Sequence, residues 1–285
     1  MGVREFRLVN EKGQSYSLMD WENYCFLSDP SGLGYSYVTD YQQLNYTFLT
    51  NLRKLAQGSI TGIANFKSYD NYRAMVNFIE NAETLRFAYK IPYKSGTKEF
   101  FKDVQIMDFS KTQIQPNGIL SETITFDCLT LWYEENTVTY TVEPIEDEIR
   151  WDFRWDSRFS DYSSRNLQYI NNGQIEAPIR VEIDGYIVNP QIDLYVEGVL
   201  YKSVKINITI NQYEKLIYDS RENNFTIAKQ NTDGTLTDLF SLDYIDFEND
   251  NLIVIPKGKS CEIVLTADNE VLSAKLTIYP QYKAV

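Results

Sequence analysis

Apolar and polar residues alternate along most of the chain, which is the pattern of β-strands with one buried face. Ile179, Val181 and Ile183, for example, alternate with charged residues. One stretch has helical spacing instead: in SYDNYRAMVNFIENAE the apolar residues recur every three or four positions, and Ser68 can cap it. The pattern predicts a mostly β chain with one α-helix over residues 69–83, which would pack on a sheet.

The amino-terminal part predicts several strands. The segment REFRLVNEKGQSYSLM has two alternating runs around Lys12 and Gly13, which predicts a β-hairpin. Residues 29–34 contain Pro and Gly and predict a tight loop. A strand after this loop is indicated by three apolar residues that alternate with polar ones: Leu44, Tyr46 and Phe48.

Residues 98–131 predict an extended hairpin arm that turns at Pro116-Asn117-Gly118. From Cys128 onward the second strand of this arm is apolar on both faces. Because an isolated two-stranded ribbon is marginally stable in water, we expect the arm to pack on a neighbouring subunit. The expected interface residues are Ile114, Pro116, Ile119, Leu129, Leu131 and Tyr133.

The second half of the chain predicts a separate β domain. Residues 134–148 hold six acidic and no basic side chains, which indicates a border between domains. The segment IRWDFRWDSRF then alternates strictly, and about eight further short strands follow. We therefore expect two β-sandwich domains, residues 1–140 and 141–285, of which the first carries the helix and the arm.

Composition narrows the range of functions. The net charge is −13, and residues 141–285 carry 24 acidic and 14 basic side chains, so binding to nucleic acid is not expected. The longest aliphatic run, Leu252 to Ile255, is too short to span a membrane, and the first residues lack a signal-peptide core, so we expect synthesis in a cytoplasm. The chain has no histidine and three widely spaced cysteines. These features argue against an enzyme, a metal site or a cofactor.

The order of segments resembles one known family. SDPSGLGY, ITGIANF, the helical stretch and KTQIQPNGILSETITFDCLTLWYEE follow one another as in the distal tail proteins (Dit) of siphophages of Gram-positive bacteria. IEAPIRVEIDGYIVNPQIDLYVEG, LIVIPKGKSCEIVL and LTIYPQYKAV are similar to the carboxy-terminal domain of that family. The resemblance extends over essentially the whole chain.

The resemblance implies a fold, an assembly and a location. It implies an amino-terminal β domain through which six copies close into a ring, and a galectin-like carboxy-terminal sandwich. The ring would join the tail tube to the tip of the virion tail. The implied partners are other copies of the chain, the tail tube protein, the tape-measure protein, the tip protein or tail-associated lysin, and receptor-binding proteins.

Two other functions remain open from the residues alone. A carbohydrate-binding module could present Trp151 and Trp155 to a sugar, although both lie on the apolar side of their predicted strand. A hydrolase could act through a pair of carboxylates, but no spacing among the forty acidic residues singles out one pair.

Overall fold

The computed structural model describes residues 4–94, 96–141, 165–241, 243–245, 251–269 and 273–285. The described residues are mostly strands, as the alternation predicts. The chain divides into two compact units, one of Met1–Glu134 with Tyr282–Val285 and one of Glu135–Gln281. The last four residues therefore belong to the first unit, whereas the sequence pattern predicted a second domain over residues 141–285 that includes them.

The first unit consists of one long antiparallel sheet, a separate hairpin and a helix. Its elements are β1 (Glu5–Asn10), β2 (Ser15–Ser17), β3 (Phe26–Ser31), β4 (Tyr37–Leu44), β5 (Thr47–Leu55), β6 (Ser59–Phe66), α1 (Tyr69–Glu80), β7 (Leu85–Tyr93), β8 (Gly96–Phe109), β9 (Leu120–Cys128) and β10 (Trp132–Tyr133). The sheet has the strand order β2-β1-β7-β8-β9-β6-β3, and β10 pairs with β8. β1 and β2 form the hairpin that the alternation predicts at Lys12 and Gly13.

The core of the first unit is rich in aromatic rings. Phe66, Phe87, Phe126 and Trp132 are at most 1% exposed, and α1 covers this core with Met75. The side chains of β9 alternate between buried and partly exposed, so one face of the sheet forms the core.

The helix has a clear beginning and end. The backbone N–H of Asn71 donates a hydrogen bond of 3.2 Å to the Ser68 hydroxyl, which is the predicted cap. The helix ends at Glu80, three residues before the predicted end. Asn81 ends it because its side-chain amide and its backbone N–H both donate to the carbonyl of Asn77.

Residues 98–131 do not form a projecting arm. β8 and β9 are adjacent inner strands of the main sheet, flanked by β7 and β6. Their apolar residues are explained by this position, since Leu120, Ile124 and Phe126 lie in the core of their own unit. The connection still turns at the predicted site, with Gly118 at φ +82°.

Residues 29–55 also differ from the prediction. Asp29 and Pro30 lie within β3, at a β-bulge where Asp29 has φ +50°, so the predicted tight loop begins as an irregular strand. The single strand expected through Leu44 and Phe48 is a hairpin. It turns at Asn45, whose φ of +53° reverses the chain.

The second unit is built only of strands and one 3₁₀ turn (Glu222–Asn224) among its described residues. Its strands are β11 (Asn136–Thr141), β12 (Arg165–Ile170), β13 (Ala177–Asp184), β14 (Ile187–Val188), β15 (Gln191–Val196), β16 (Val199–Lys205), β17 (Thr209–Ile210), β18 (Lys215–Asp219), β19 (Thr226–Gln230), β20 (Leu236–Asp238), β21 (Val254–Ile255), β22 (Ser260–Thr266) and β23 (Ser273–Ile278). The last strand, β24 (Gln281–Tyr282), spans the division between the units.

Two sheets of the second unit share one apolar core. One has the order β11-β23-β13-β18-β19-β20 and the other β12-β22-β15-β16. Ile179, Val181 and Ile183, whose alternation predicted a strand, are at most 1% exposed in this core. Residues 204–210 alternate between apolar and polar side chains but do not form one continuous strand, since β16 ends at Lys205, β17 begins at Thr209 and Ile208 packs beside the core.

Charged residues pair on the outer face of β13. Arg180 Nε donates a hydrogen bond of 2.8 Å to Glu182 Oε1, and Lys215 lies 3.4 Å from the other oxygen of Glu182. Burial alone would raise the pKa of Glu182, but the hydrogen bond from Arg180 and the charges of Arg180 and Lys215 hold it below its usual value.

The carboxy-terminal residues complete the first unit. The hydroxyl of Tyr282 donates a hydrogen bond of 2.9 Å to Glu134, the last residue of that unit before the chain leaves it. The ring of Tyr282 packs edge-on against Phe100 with 5.4 Å between the ring centroids. The chain therefore leaves the first unit and returns to it at one place.

Candidate subunit interface

The hairpin of β4 and β5 is the main exposed feature of the first unit. Its two strands pair only with each other and lie outside the main sheet. Every residue of β5 is exposed. Because such a ribbon buries little of its own surface, its stability requires contact with something else.

One face of the hairpin, called the aliphatic face below, carries four exposed aliphatic side chains among polar ones. Residues that pair across an antiparallel ribbon share a face, and neighbours along a strand alternate between faces. The register pairs Asp40 with Leu52 and Gln42 with Leu49. The aliphatic residues on this face are Val38, Leu44, Leu49 and Leu52, which are 51%, 48%, 52% and 50% exposed.

The other face carries aromatic side chains among polar ones. Tyr41 and Phe48 lie on it and are 58% and 66% exposed, and the register pairs Tyr37 with Leu55 there. Tyr46 at the tip is 98% exposed. The ribbon therefore presents apolar surface on both faces, which soluble proteins rarely leave uncovered.

The root of the hairpin is fixed to the body of the unit. The indole N–H of Trp132 donates a hydrogen bond of 3.0 Å to the carbonyl of Leu33. Gly32 passes so close to β6 that a Cβ atom built on it would lie 1.8 Å from the carbonyl oxygen of Ser59. Lys283 donates a hydrogen bond of 3.1 Å to the Tyr37 hydroxyl. These contacts hold the base while the rest of the ribbon extends from it.

The edge strands of the first unit differ in how readily a strand of another chain could pair with them. β3, at one end of the main sheet, carries Pro30 and a bulge, which hinder pairing with another strand. β4 and β5 have no proline, run for eight and nine residues and carry few charges, Asp40, Arg53 and Lys54. Long apolar edges of this kind favour association with another chain.

The interface residues expected from the sequence lie elsewhere in the first unit. Pro116 and Leu129 are exposed, and Ile114, Ile119 and Leu131 are half-buried. Tyr133 lies in the interior instead: it is 2% exposed and its hydroxyl donates a hydrogen bond of 2.6 Å to Asp103. Tyr133 therefore has the surroundings of a core residue.

The exposed apolar residues of the hairpin were not predicted from the sequence. The signal was present in YVTDYQQLNYTFLTNLRKL, where two strand-length runs flank an Asn in a turn and apolar residues occupy both odd and even positions. A strand that is covered on neither face within its own subunit shows no clean alternation, so the pattern was read as one short strand.

Among the described residues, no group of three or more His, Cys, Asp or Glu side chains that could hold a metal ion occurs. Trp151 and Trp155, the residues of the sugar-binding hypothesis, lie outside the described residues. Within the described part of the chain, no helix is both long and apolar enough to cross a membrane.

Comparisons of the sequence with known proteins find similarity to distal tail proteins of phages. Residues 5–129, which include the hairpin, match the family model of the distal tail protein, N-terminal domain. The distal tail protein of Lactococcus phage p2 is 31% identical over 72 residues, which are 25% of this chain and 24% of that protein. The matched segment thus spans about a quarter of the length of that relative, and the same holds for the distal tail protein of Lactococcus phage SK1.

Solved structures show the same fold. A chain in the structure of the phage P2 baseplate in its activated conformation with Ca matches with a TM-score of 0.68 and 16% identity, with 100% of both chains covered. The crystal structure of SPP1 Dit, described as a paradigm of the hub adsorption apparatus in phages that infect Gram-positive bacteria, matches with a TM-score of 0.54 and 13% identity. That match covers 96% of this chain and 98% of the other.

Proposed function

Since residues 5–129 match the family model of the distal tail protein, N-terminal domain, we propose that this chain is a distal tail protein and the structural hub at the end of a phage tail. Six copies close into a ring through their first units. The ring joins the tail tube to the tip and to the receptor-binding apparatus. The role is architectural, and no chemical step is assigned to the chain.

The exposed hairpin is the observation that carries this proposal. A surface that is apolar on both faces and extends from a rigid body suits a permanent contact, since such interfaces are richer in apolar residues than transient ones. Each copy would place its hairpin on the next copy. Such a head-to-tail contact must close into a ring or continue as a filament.

The partners and the location follow from the family. We propose contacts with the tail tube protein, the tape-measure protein and the tip protein or tail-associated lysin, and with receptor-binding proteins. The second unit would be the galectin-like domain. The chain would be made in the cytoplasm of the bacterial host and reside at the virion tail tip.

The copy number of the purified chain tests the proposal. Light scattering after size exclusion should give about 200 kDa, which is six times the 33.3 kDa of one chain. A variant in which a short turn replaces residues 38–54 should remain a folded monomer. A stable particle of another copy number, or rings from the shortened variant, would contradict the proposal.

A carbohydrate-binding function would give a different result. It predicts a monomer that binds a cell-wall glycan, and loss of binding on replacement of Trp151 or Trp155. A hydrolase would release product from such a glycan. Both hypotheses remain predictions for which the described residues supply no supporting geometry.

A further inference from the structure

The outer face of the main sheet, which points away from the apolar core, differs in charge between its two halves. On the half formed by β1, β7 and β8, Arg7 pairs with Glu99 at 2.8 Å and Lys90 pairs with Glu5 at 3.3 Å. Charged side chains of this kind are typical of a surface that stays in water. The half formed by β3, β6 and β9 has a different composition.

This second half consists of small uncharged side chains and two larger apolar ones. The register places three rows of residues side by side across the strands, which we call the hydroxyl face: Phe26, Asn65 and Ser121; Ser28, Ile63 and Thr123; Ser31, Thr61 and Thr125. All of these residues are at least partly exposed, and Phe26 and Ile63 are 39% and 37% exposed. The hydroxyl face is therefore an open surface without charge.

The polar groups of the hydroxyl face bond largely to the protein itself. The Ser121 hydroxyl donates a hydrogen bond of 2.8 Å to Asn65 Oδ1, and Asn65 Nδ2 donates one of 3.0 Å to the Ser28 hydroxyl. The hydroxyls of Thr61 and Thr125 lie 3.3 Å apart and share a hydrogen bond. Covering a polar group that already has a partner is much less unfavourable than covering one that is bonded to water. The face can therefore be buried in a complex with little loss of free energy.

We propose that the hydroxyl face is the acceptor surface on which the aliphatic face of the hairpin from a second copy of this chain packs. The inference rests on the proposed function, because it names the surface that each hairpin meets in the ring. A head-to-tail contact needs two different and complementary surfaces on each copy, and the hairpin supplies one of them. Loss of either surface should therefore leave single subunits.

The two surfaces match in size and shape. Three strands about 4.8 Å apart make a face about 15 Å wide, which is wide enough for a two-stranded ribbon about 10 Å wide. The aliphatic face carries large side chains such as Leu49 and Leu52, whereas most side chains of the hydroxyl face are small. Large residues that face small ones allow two layers to interdigitate without voids. Phe26 and Ile63 add apolar area to the contact.

Charges at the margins of the two surfaces are complementary. Lys54 lies on the aliphatic face near the base of the hairpin and forms no ion pair among the described residues. The acid on the same face, Asp40, accepts a hydrogen bond of 2.9 Å from Asn51 of its own hairpin. Beside the hydroxyl face lie two acids that also form no ion pair within the described part of the chain, Asp127 in the next row and Asp29 at the bulge of β3. Opposite charges at the rim favour this pairing of surfaces over others.

Substitutions on the hydroxyl face test the proposal. Ile63→Lys with Thr123→Glu puts two long charged side chains at residues paired across β6 and β9 and leaves the net charge unchanged. We expect a contact at least about 10-fold weaker, and hence monomers, in light scattering over a concentration series. The matched control is Ser15→Lys with Ser17→Glu on β2, which lies on the outer face of the same sheet but outside the hydroxyl face. The control should form rings, and urea midpoints should show that both variants are folded.

A mixture of two monomeric variants tests the pairing of the surfaces directly. The hairpin variant, Leu49→Lys with Leu52→Lys, keeps its hydroxyl face, and the hydroxyl-face variant keeps its hairpin. Fluorescence anisotropy of the labelled hairpin variant should rise when the hydroxyl-face variant is added, because one contact between the two can still form. It should not rise when unlabelled hairpin variant is added instead.

The outcomes separate this inference from the proposed ring. If the unaltered chain forms rings of six, then unchanged rings from the hydroxyl-face variant, or no binding in the mixture, would overturn the acceptor surface and leave the ring in place. An unaltered chain that is monomeric at every concentration would overturn the ring and this inference with it. If the double substitution unfolds the subunit, Thr123→Lys compared with Ser15→Lys gives the same test.

Discussion

Two lysines on the aliphatic face of the hairpin should break the proposed ring without unfolding the subunit. The substitutions are Leu49→Lys and Leu52→Lys in β5, at residues that are 52% and 50% exposed. Neither leucine belongs to the apolar core of the first unit. Each therefore has about half of its side chain left for a partner to cover.

The expected loss follows from that exposed half. Full burial of a leucine side chain contributes about 1.5–3 kcal/mol, so the covered halves of two leucines contribute roughly 1.5–3 kcal/mol per interface. That loss alone corresponds to a roughly 10- to 100-fold weaker contact between neighbouring copies. Desolvation of two ammonium groups would weaken the contact further.

Light scattering over a range of concentrations would measure the oligomeric state of the double variant, and urea unfolding would measure the stability of its subunit. We expect a shift from rings to monomers, with the free energy of unfolding of the monomer within about 0.5 kcal/mol of its original value. Tyr213→Lys is a suitable control, because Tyr213 is 79% exposed but lies in the second unit. Rings with unchanged concentration dependence in the double variant would refute the role of this face.

Three further substitutions probe the fold. Gly32→Ala should lower the free energy of unfolding by at least about 2 kcal/mol, since φ is +79° and the new Cβ would strike a backbone carbonyl, whereas Gly34→Ala has open space and should be neutral in the same urea titration. Glu122→Ala should cost about 3 kcal/mol, because its buried carboxylate accepts hydrogen bonds from two hydroxyls and one backbone N–H; an unchanged urea midpoint would contradict this. Glu182 has a pKa lowered in the folded state by Arg180, so its contribution is present above the usual carboxyl pKa of 4.5 and is lost as the pH falls through the folded value. Glu182→Gln should therefore flatten the decline of stability in acid, and parallel curves for both proteins would disprove the coupling.

The sequence pattern located strands best where one face of the strand packs in the core of its own unit. Val181 and Ile183 are buried and alternate with charged residues along β13, so alternation alone located them. The helix was predicted with its cap because Ser68 and the apolar spacing are local features. Its end was placed three residues late because Asn81, which stops it, also fits within a helical pattern.

The candidate interface could not be located from the pattern alone. The prediction assigned excess apolar surface to residues 98–131, where the structure shows that neighbouring strands of the same unit provide the cover. The exposed apolar surface lies on β4 and β5 instead. These two strands pair only with each other, and the main sheet does not cover them. Pairing between distant strands decides which apolar residues remain exposed, and single-chain periodicity does not contain that information.

The return of the chain to the first unit has consequences for the synthesis and for the evolution of the protein. Tyr282 completes the unit that Glu134 leaves, and the two side chains are joined by a hydrogen bond. During synthesis the first unit cannot make these contacts until the whole second unit has been translated. The second unit is also an insertion with both ends anchored at one place, so a domain of another size could replace it while the first unit stays the same.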